Sequence, residues 1–476
     1  MRVGKLSEPV LLIAIVILST ALRLHDIGRP LADWHSWRQA DTASVSRNWV
    51  KDGIDIWHPK YDDLSSFQSG LYNYDRYRMV EFPIYNVIVT LVWQKFGVVE
   101  AYARLVSIVI SQVTLVLLYF LARKYFGPSL GILTAFVFAI MPYNIFYSTT
   151  ILPEPLLLAT STATLYFFSL YTDRLKKRWY FLTLFSFALA MLTKPTAIFI
   201  VLPLSYLAYK KWGLKMFKNK SLWILAVVSL LPFILWRLWI AQFSEGIPAS
   251  GWLFNGDGIR LRPAFFRWLL VDRFGRLIFT VCGLPLLAIG LLTKFNKGNY
   301  IFHFWFLSVL LYFVVFATGN VRHDYYQIPI IPVGSFFVSF GAYQLWQNRS
   351  IVTNIWLSRI AAIFLIVFFY AFGWYEAKQL FGINDPAIVE AGARANQILP
   401  KDARVIAPYQ QNTAFLYQTH RYGWPDFDRP LDDLIKAGAT HVIAINIDGK
   451  VEGIMKKYTV VEKTDKYVIV DLTRPR

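Results

Sequence analysis

Cysteine is nearly absent from this chain, which has one, Cys282, among 476 residues. A single cysteine allows no intramolecular disulfide and no cysteine-based metal site. Several sequence signatures are also missing: the HExxH zinc motif, the phosphate-binding P-loop, the GxSxG nucleophile turn and the dinucleotide-binding glycine pattern. These absences argue against metalloproteases, NTP-driven pumps, serine hydrolases and dinucleotide-dependent enzymes.

Acidic residues are scarce, because 30 stand against 49 lysines and arginines and the net charge is +19. In a soluble protein this balance would suggest nucleic-acid binding. Much of the basic charge, however, lies in short loops between apolar runs, where it sets membrane orientation and contacts anionic lipid head groups. We therefore expect membrane lipids as partners and no nucleic acid.

Hydrophobic residues are abundant, at 56% of the sequence, and the mean hydropathy is +0.41. Many apolar runs approach the ~20 residues that a helix needs to cross about 30 Å of hydrocarbon. The pattern predicts a mainly α, polytopic transmembrane helical bundle of about eleven spans. The predicted spans lie near residues 10–22, 101–121, 129–146, 155–171, 179–192, 197–209, 222–240, 277–292, 301–316, 328–345 and 360–374.

Basic residues cluster in alternate loops, and this alternation predicts the topology. The loops at 123–124, 174–178 and 210–220 fall on one side, which the positive-inside rule assigns to the cytoplasm. The N-terminus is then cytoplasmic, and the long polar segments lie on the periplasmic or extracytoplasmic face of the cytoplasmic (inner) membrane. We expect a multi-pass inner-membrane protein.

Two polar regions interrupt the apolar pattern, and both are predicted to be external. The first external loop, residues 25–81, is followed by a short apolar segment, 82–96, that suits an interfacial helix. Residues 376–476 change to a soluble pattern of helices and strands. The predicted domains are a transmembrane domain, residues 1–375, and a small C-terminal α/β domain, residues 376–476.

Acidic, basic and aromatic groups are concentrated at the start of the first external loop, from Asp33 onward. Asp41 could take the proton from an acceptor hydroxyl as a general base, while Arg38 or His35 tunes its charge or holds phosphate. The alternative is structural. Asp41 would then cap the following helix, and the nearby tryptophans would anchor the membrane interface.

Further charged residues lie at the external ends of predicted spans: Glu81, Arg104, Glu154, Lys194 and Arg322. Lys194 stands at an external turn, where its amine could bind a lipid phosphate, although snorkelling to the interface is an equally simple account. Glu81 and Glu154 stand where helices begin, and the helix dipole alone would favour a carboxylate there. Charges at the interface rather than at the midplane favour an enzyme that acts on lipid head groups over a transporter.

The last external membrane loop contains Arg322, His323, Tyr325 and Tyr326. Arginine is suited to bidentate contact with phosphate, and histidine to metal binding or acid–base work. For a lone histidine, an ordinary hydrogen bond is the alternative.

The order of these motifs resembles the C-type glycosyltransferases, and within them the branch of the protein O-mannosyltransferases and the aminoarabinose transferase that modifies lipid A. The likeness covers most of Leu11 to Leu345. It rests on the acidic first loop and then, in order, on the runs Glu81-Phe82-Pro83-Ile84-Tyr85, Phe96 to Leu105, Leu152-Pro153-Glu154-Pro155-Leu156, Leu192-Thr193-Lys194-Pro195 and Tyr325-Tyr326-Gln327-Ile328-Pro329.

The resemblance implies an enzyme that moves a sugar from a polyprenyl-phosphate-sugar donor to a hydroxyl of a lipid, glycan or protein acceptor, with inversion at the anomeric carbon. It implies an acid of the first external loop near the reacting centre, which Asp41 matches best and for which Asp33 competes. The residues expected to bind the donor phosphate or lipid are Lys194, Arg322, Tyr325, Tyr326, Arg104 and Glu154.

One departure from the family pattern concerns the interfacial helix. The aminoarabinose branch has an acid-lysine-proline motif there, but Phe82 replaces the lysine in this chain, which shifts the expected phosphate contact to Lys194 and Arg322. No cofactor is firmly implied. A divalent metal ion is an open question, with Glu81 and His323 as candidate ligands.

Two other functions stay open on the sequence. One is a transporter or flippase of a lipid-linked saccharide, against which the lack of midplane charge counts. The other is a non-catalytic anchor that presents the C-terminal domain, against which the charged and aromatic first loop counts.

Overall fold

The computed structural model describes residues 7–256, 258–294, 299–347 and 354–476. Residues 1–6, the start of the predicted cytoplasmic N-terminus, lie outside the described residues. The chain divides into two compact units. The helical unit comprises Met1–Ile27, Ser107–Trp236 and Ser250–Leu380, and the mixed unit comprises Gly28–Val106, Arg237–Ala249 and Phe381–Arg476.

The helical unit follows the predicted apolar runs closely. Its longer helices, some continuing into the mixed unit, are Ser7–Arg23, Glu100–Phe126, Pro128–Ile140, Glu154–Arg174, Lys177–Thr193, Val201–Trp212, Lys220–Ile240, Arg267–Ile278, Thr280–Leu292, Ile301–Val315, Ile330–Gln347 and Ile355–Ala377. Three shorter elements carry polar residues: the helices Pro142–Tyr147 and Ala317–Arg322 and the 3₁₀ turn Asp324–Gln327.

A proline divides the predicted span 129–146 into two helices. Pro142 has no N–H to donate to the carbonyl of Phe138 four residues earlier, so the helix ends at Ile140 and a new one begins at Pro142. The side-chain amide of Asn144 donates to that Phe138 carbonyl at 2.8 Å. This side-chain hydrogen bond replaces the backbone hydrogen bond that Pro142 cannot form, and it helps to fix the position of the short helix Pro142–Tyr147.

Among the described residues, length and composition single out fewer membrane-spanning helices than the predicted number of about eleven. Three helical stretches within the described ranges are long and apolar enough to cross a membrane: Glu100–Phe126, Lys220–Ile240 and Ile355–Ile398, of which the last begins with the apolar helix Ile355–Ala377. The pair Pro263–Ile278 and Thr280–Leu292, bent by 108°, adds a fourth if it forms one span. The chain is a multi-pass membrane protein by these helices, and eleven spans stays a prediction.

The mixed unit joins the first external loop to the C-terminal residues. Its helices are Ser36–Asp52, Ile84–Phe96, Pro386–Ile398, Thr413–Gln418, Leu431–Lys436 and Gly449–Lys457. The first two end before Gly53 and Gly97, whose positive φ values of 91° and 92° favour glycine. The predicted interfacial helix 82–96 corresponds to Ile84–Phe96.

A small sheet forms the core of the mixed unit. Its strands are β1 (Val405–Ile406), β2 (Gly423–Trp424), β3 (His441–Ala444), β4 (Tyr458–Lys463) and β5 (Val468–Pro475), in the order β2-β1-β3-β5-β4 within the described residues. Strands β2, β1 and β3 are parallel, and β5 and β4 pair antiparallel.

Successive residues of these strands alternate between two hydrophobic cores, as the pleat requires. Val405, Ile443 and Ile469 enter one core, and their neighbours along each strand enter the other. The first external loop supplies Ala32 to one core and Leu64 to the other. Residues 381–476 and the first external loop therefore share a hydrophobic core.

Candidate functional site

The predicted site residues fall into two groups, one in each unit. The acid cluster of the mixed unit contains Asp33, His35, Arg38, Asp41 and Glu81. The lysine–tyrosine cluster of the helical unit contains Glu154, Lys194, Arg322, His323, Tyr325 and Tyr326. Arg104 belongs to the mixed unit by its contacts.

Asp41 lies within the helix Ser36–Asp52 and is 1% exposed. The structure contradicts a helix-capping role for it, because the helix begins at Ser36 and Asp41 is inside its second turn. One carboxylate oxygen accepts a hydrogen bond from Gln68 at 3.1 Å and forms an ion pair with Arg78 at 3.1 Å, and the other accepts from the Thr413 hydroxyl at 2.7 Å. Asp41 is therefore a fixed, arginine-paired carboxylate.

Asp33 is also fully buried, and its contacts hold the backbone ahead of the same helix. Its carboxylate accepts from Arg29 Nε at 2.6 Å and from Gln39 Nε2 at 2.8 Å. Arg104 contacts the same segment, because its guanidinium donates to the Arg29 carbonyl at 2.5 Å. Arg104 is 0% exposed.

Arg38 and Glu81 form the more open part of the acid cluster. Arg38 donates to Glu81 Oε1 at 2.6 Å, and the Glu81 side chain is 16% exposed, against 0% for that of Asp41. His35 precedes the helix with a φ of 55°, is half-buried, and its ring lies 5.0 Å from that of the exposed Trp34. Glu81 is thus the acid of the cluster that solvent reaches most readily.

Lys194 stands directly after the helix Lys177–Thr193, and Glu154 begins the helix Glu154–Arg174. The Lys194 ammonium forms an ion pair with the buried Glu154 carboxylate. It also lies 5.7 Å from the ring centroid of Tyr325 and 5.9 Å from that of Tyr326, within cation–π range of both. The structure therefore brings together four of the residues that the sequence suggested for the donor.

Arg322 and His323 lie beside Trp252 on the same unit. The exposed Arg322 guanidinium lies 5.5 Å from the ring of Trp252, and the His323 ring lies 5.8 Å from it. His323 also stacks on Tyr325 and Tyr326 at 5.5 and 6.1 Å. A group of basic and aromatic side chains thus continues from Lys194 through the tyrosines to Arg322.

A small apolar cavity of about 40 Å³ lies within the helical unit, lined in part by Thr196, Phe199, Tyr312 and Pro329. Thr196 and Phe199 follow Lys194 closely in sequence, and Pro329 follows Gln327. Tyr312 belongs to the helix Ile301–Val315. The cavity has the size of a gap for a few water molecules rather than of a tunnel for a lipid chain.

The metal prediction finds little support in the geometry. No group of three or more histidine, cysteine, aspartate or glutamate residues within the described ranges could hold a metal ion. Glu81 faces the Arg38 guanidinium, and such an ion pair competes with a cation for the carboxylate. His323 is surrounded by aromatic rings. The residues around Glu81 fit an ion pair better than a metal site, and no step below uses a metal.

Sequence reasoning missed several residues that hold these clusters. The partners of Asp41 are Gln68, Arg78 and Thr413, and Thr413 is 372 residues away in the chain. In the helical unit, Asp324 accepts a hydrogen bond from Tyr147. No local pattern signals contacts at such separations, and the only sequence signal for Asp324 is its place beside the two tyrosines in the last external membrane loop.

Comparison with known proteins supports the resemblance seen in the motifs. Residues 81–239 match the family model described as dolichyl-phosphate-mannose-protein mannosyltransferase. An uncharacterized protein of Aquifex aeolicus (strain VF5) is 29% identical over 254 residues, which are 52% of this chain and 57% of that protein. The chain thus spans little more than half the length of this relative.

Two solved structures share the fold over nearly the whole chain. ArnT from Cupriavidus metallidurans bound to undecaprenyl phosphate has a TM-score of 0.67 at 14% identity, with 96% of this chain and 97% of that chain covered. The Archaeoglobus fulgidus oligosaccharyltransferase in complex with Zn and sulfate has a TM-score of 0.62 at 11% identity, with 91% and 67% covered. The chain therefore has the fold of the C-type glycosyltransferases and, over residues 81–239, the sequence pattern of their protein mannosyltransferases.

Proposed function

We propose that this protein is a glycosyltransferase that moves a sugar from a polyprenyl-phosphate-sugar donor to an acceptor hydroxyl at the outer face of the cytoplasmic membrane. The observation that carries the proposal is the lysine–tyrosine cluster. An ammonium held by a buried carboxylate, with two phenol rings beside it, offers cationic and hydrogen-bonding groups to a phosphate. The fold and the matched family model support a transferase.

The donor phosphate is assigned to Lys194, with Tyr325, Tyr326 and Arg322 around it. Glu154 fixes the position of the ammonium, and the exposed Arg322 adds a second cation to the lysine–tyrosine cluster. The apolar residues that follow Lys194 provide a wall for the first isoprene units, and a small cavity lies against Phe199 and Tyr312. The solved ArnT structure contains undecaprenyl phosphate, which supports a lipid of this class.

The reaction needs no nucleotide and no covalent enzyme intermediate. The acceptor oxygen forms a bond to the anomeric carbon on one face while the bond from that carbon to the phosphate oxygen breaks on the other, so the configuration inverts. The acceptor proton passes to a carboxylate, and the lipid phosphate leaves with its charge stabilised by the cations. Metal dependence is not part of this proposal.

The base is assigned to the acid cluster, where two candidates differ in accessibility. Asp41 matches the family position best and is paired with Arg78, but its side chain is 0% exposed. Glu81 is paired with Arg38 and is 16% exposed. A base must reach the proton that it removes, so the geometry raises Glu81 to a competitor of Asp41, whereas the contacts of Asp33 with Arg29 and Gln39 suit a structural role.

The test is transfer of radiolabelled sugar from a polyprenyl-phosphate donor to candidate lipid, glycan and protein acceptors by the purified full chain. Lys194→Ala should lower kcat/KM by roughly 10- to 100-fold, the value of a lost charged hydrogen bond. Whichever of Asp41→Asn and Glu81→Gln removes the base should lower kcat by about 10²- to 10⁴-fold. The control Lys436→Ala changes an exposed pair with Asp433 and should leave the rate unchanged.

Transfer at the wild-type rate by Lys194→Ala would remove the assigned donor site. Full activity in both Asp41→Asn and Glu81→Gln would remove the acid cluster from the reaction.

A further inference from the structure

Asp324 is a buried acid of the helical unit that the proposed chemistry does not use. It is 4% exposed and begins the 3₁₀ turn Asp324–Gln327. Its carboxylate accepts a hydrogen bond from the Tyr147 hydroxyl at 2.5 Å, and its backbone carbonyl accepts one from the Tyr143 hydroxyl. Both buried phenols of the short helix Pro142–Tyr147 are therefore directed at one residue.

The other end of this turn is fixed as well. The side-chain amide of Gln327 donates to the backbone carbonyl of Asn320 at 2.8 Å and to its side-chain oxygen at 2.9 Å. Tyr325 and Tyr326 lie between these two attachment points. The position of their rings is thus determined by polar contacts on both sides of the turn.

One chain segment, residues 142–154, holds both halves of the lysine–tyrosine cluster. At one end Tyr147 binds Asp324, and at the other Glu154 binds Lys194. Between them the backbone carbonyl of Thr150 accepts a hydrogen bond from Ser107 at 2.7 Å. This segment therefore contributes to the distances from the Lys194 ammonium to the two tyrosine rings, together with the contacts between Gln327 and Asn320.

We propose that Asp324 is a positioning residue, which, through its contact with Tyr147, sets Tyr325 and Tyr326 against Lys194 and so shapes the site for the donor phosphate. This inference rests on the proposed function. Partners behind a binding group commonly fix its orientation, and a misplacement of about 1 Å at such a site is costly. Because the role is one of placement, an acceptor oxygen at position 324 is required and its negative charge is not.

The experiment measures the affinity of the purified full chain for undecaprenyl phosphate. Tyr147→Phe keeps the ring but removes the hydroxyl, and it should raise Kd roughly five- to tenfold, the value of one hydrogen bond. Asp324→Asn keeps an acceptor oxygen in the same place and should bind almost as the wild type does. Tyr180→Phe is the matched control, because it removes a hydroxyl that donates to the Ser221 carbonyl at 2.9 Å, away from the turn.

Lys194→Ala and a thermal-unfolding curve for each variant separate the possible failures. Wild-type affinity in Tyr147→Phe, even with a lower unfolding temperature, would make the contact merely structural and overturn the inference. Weaker binding by Asp324→Asn than by Tyr147→Phe would show that charge matters, and would overturn it too. If Lys194→Ala binds as the wild type does, the proposed donor site itself fails. If Lys194→Ala loses binding but Tyr147→Phe does not, the donor site stands and only the role of Asp324 is removed.

Discussion

At the residue scale, arginines neutralise most of the buried acids of the mixed unit. Asp33 pairs with Arg29, Asp41 with Arg78, and Asp62 with Arg47. A buried carboxylate without such a partner is costly, because it loses its hydration. These pairs explain how a chain with few acids can place several of them inside one unit.

Asp63 differs from these acids in the groups that surround it. It accepts hydrogen bonds from the Ser65 N–H at 2.7 Å and from the Tyr61 hydroxyl at 3.4 Å. The pKa of Asp63 is raised to about 7, mainly by burial and also by the nearby carboxylates of Asp41 and Asp428, while the hydrogen bonds from Ser65 oppose this rise. The folded protein therefore holds a proton on Asp63 that the unfolded chain releases near pH 4.

This difference predicts a pH-dependent stability. Because the pKa of Asp63 is higher in the folded state, its contribution is fully present below about pH 4 and is lost as the pH rises to about 7. Asp63→Asn cannot ionise, so it should be more stable than the wild type at pH 8, by up to a few kcal/mol, and similar to it at pH 4. Thermal unfolding of the purified protein at both pH values measures the difference.

The control for this experiment is Asp433→Asn, which changes an exposed acid. Its effect should be small and equal at both pH values. An Asp63→Asn variant whose stability relative to the wild type does not change with pH would show that Asp63 is ionised in the folded protein.

The sequence predicted where candidate polar residues stand along the helices better than it predicted their contacts. Lys194, Glu154 and the two tyrosines were identifiable because each stands at a helix end or turn with the same predicted sidedness. The burial of Asp41 was not, because its partners Gln68 and Thr413 are 27 and 372 residues away. The sequence indicates that a polar group stands at an unusual position, whereas the solvent exposure of that group depends on the tertiary fold.

At the scale of the elements, apolar length predicted the helices well and their breaks less well. The span near 277–292 is preceded by the π-helix Arg267–Ile278, and the two elements bend by 108°. Hydrophobicity alone carries no information about such a bend. The short strands β1 and β2, with two residues each, are also too brief for a periodic pattern, and only pairing with neighbours defines them.

The helix Ser36–Asp52 is joined to the C-terminal part of the mixed unit by Arg47. The Arg47 guanidinium pairs with Asp62, donates to the Tyr417 carbonyl at 2.9 Å and lies 4.0 Å from the Tyr417 ring centroid. Arg47→Met should destabilise the mixed unit by about 3–5 kcal/mol, because it leaves the Asp62 carboxylate buried without its cation. Thermal unfolding and protease resistance of residues 381–476 measure this effect.

Arg394→Ala is the matched control, since its pair with Glu462 is on the surface and contributes little. An Arg47→Met protein as stable and as protease-resistant as the wild type would mean that this buried pair is not what holds the helix to the C-terminal residues.

At the scale of the whole molecule, the C-type glycosyltransferase fold was predictable from the order of short motifs. The composition of the mixed unit was not. A boundary at residue 376 separates a soluble pattern from an apolar one. The first external loop nevertheless contributes Ala32 and Leu64 to the cores of the sheet, and Asp63 forms an isolated β-bridge with Gly423 of β2. Such long-range packing has no signature in local sequence.

The central claim is that the protein breaks the bond between a sugar and a lipid phosphate, and the most direct measurement follows both products. The full chain is placed in liposomes with a polyprenyl-phosphate donor labelled in the sugar and with acceptor present. The account predicts one free polyprenyl phosphate for each sugar transferred, with inverted configuration at the anomeric carbon, and both products reduced together in Lys194→Ala. Movement of the intact lipid-linked sugar across the bilayer, without release of polyprenyl phosphate, would contradict it.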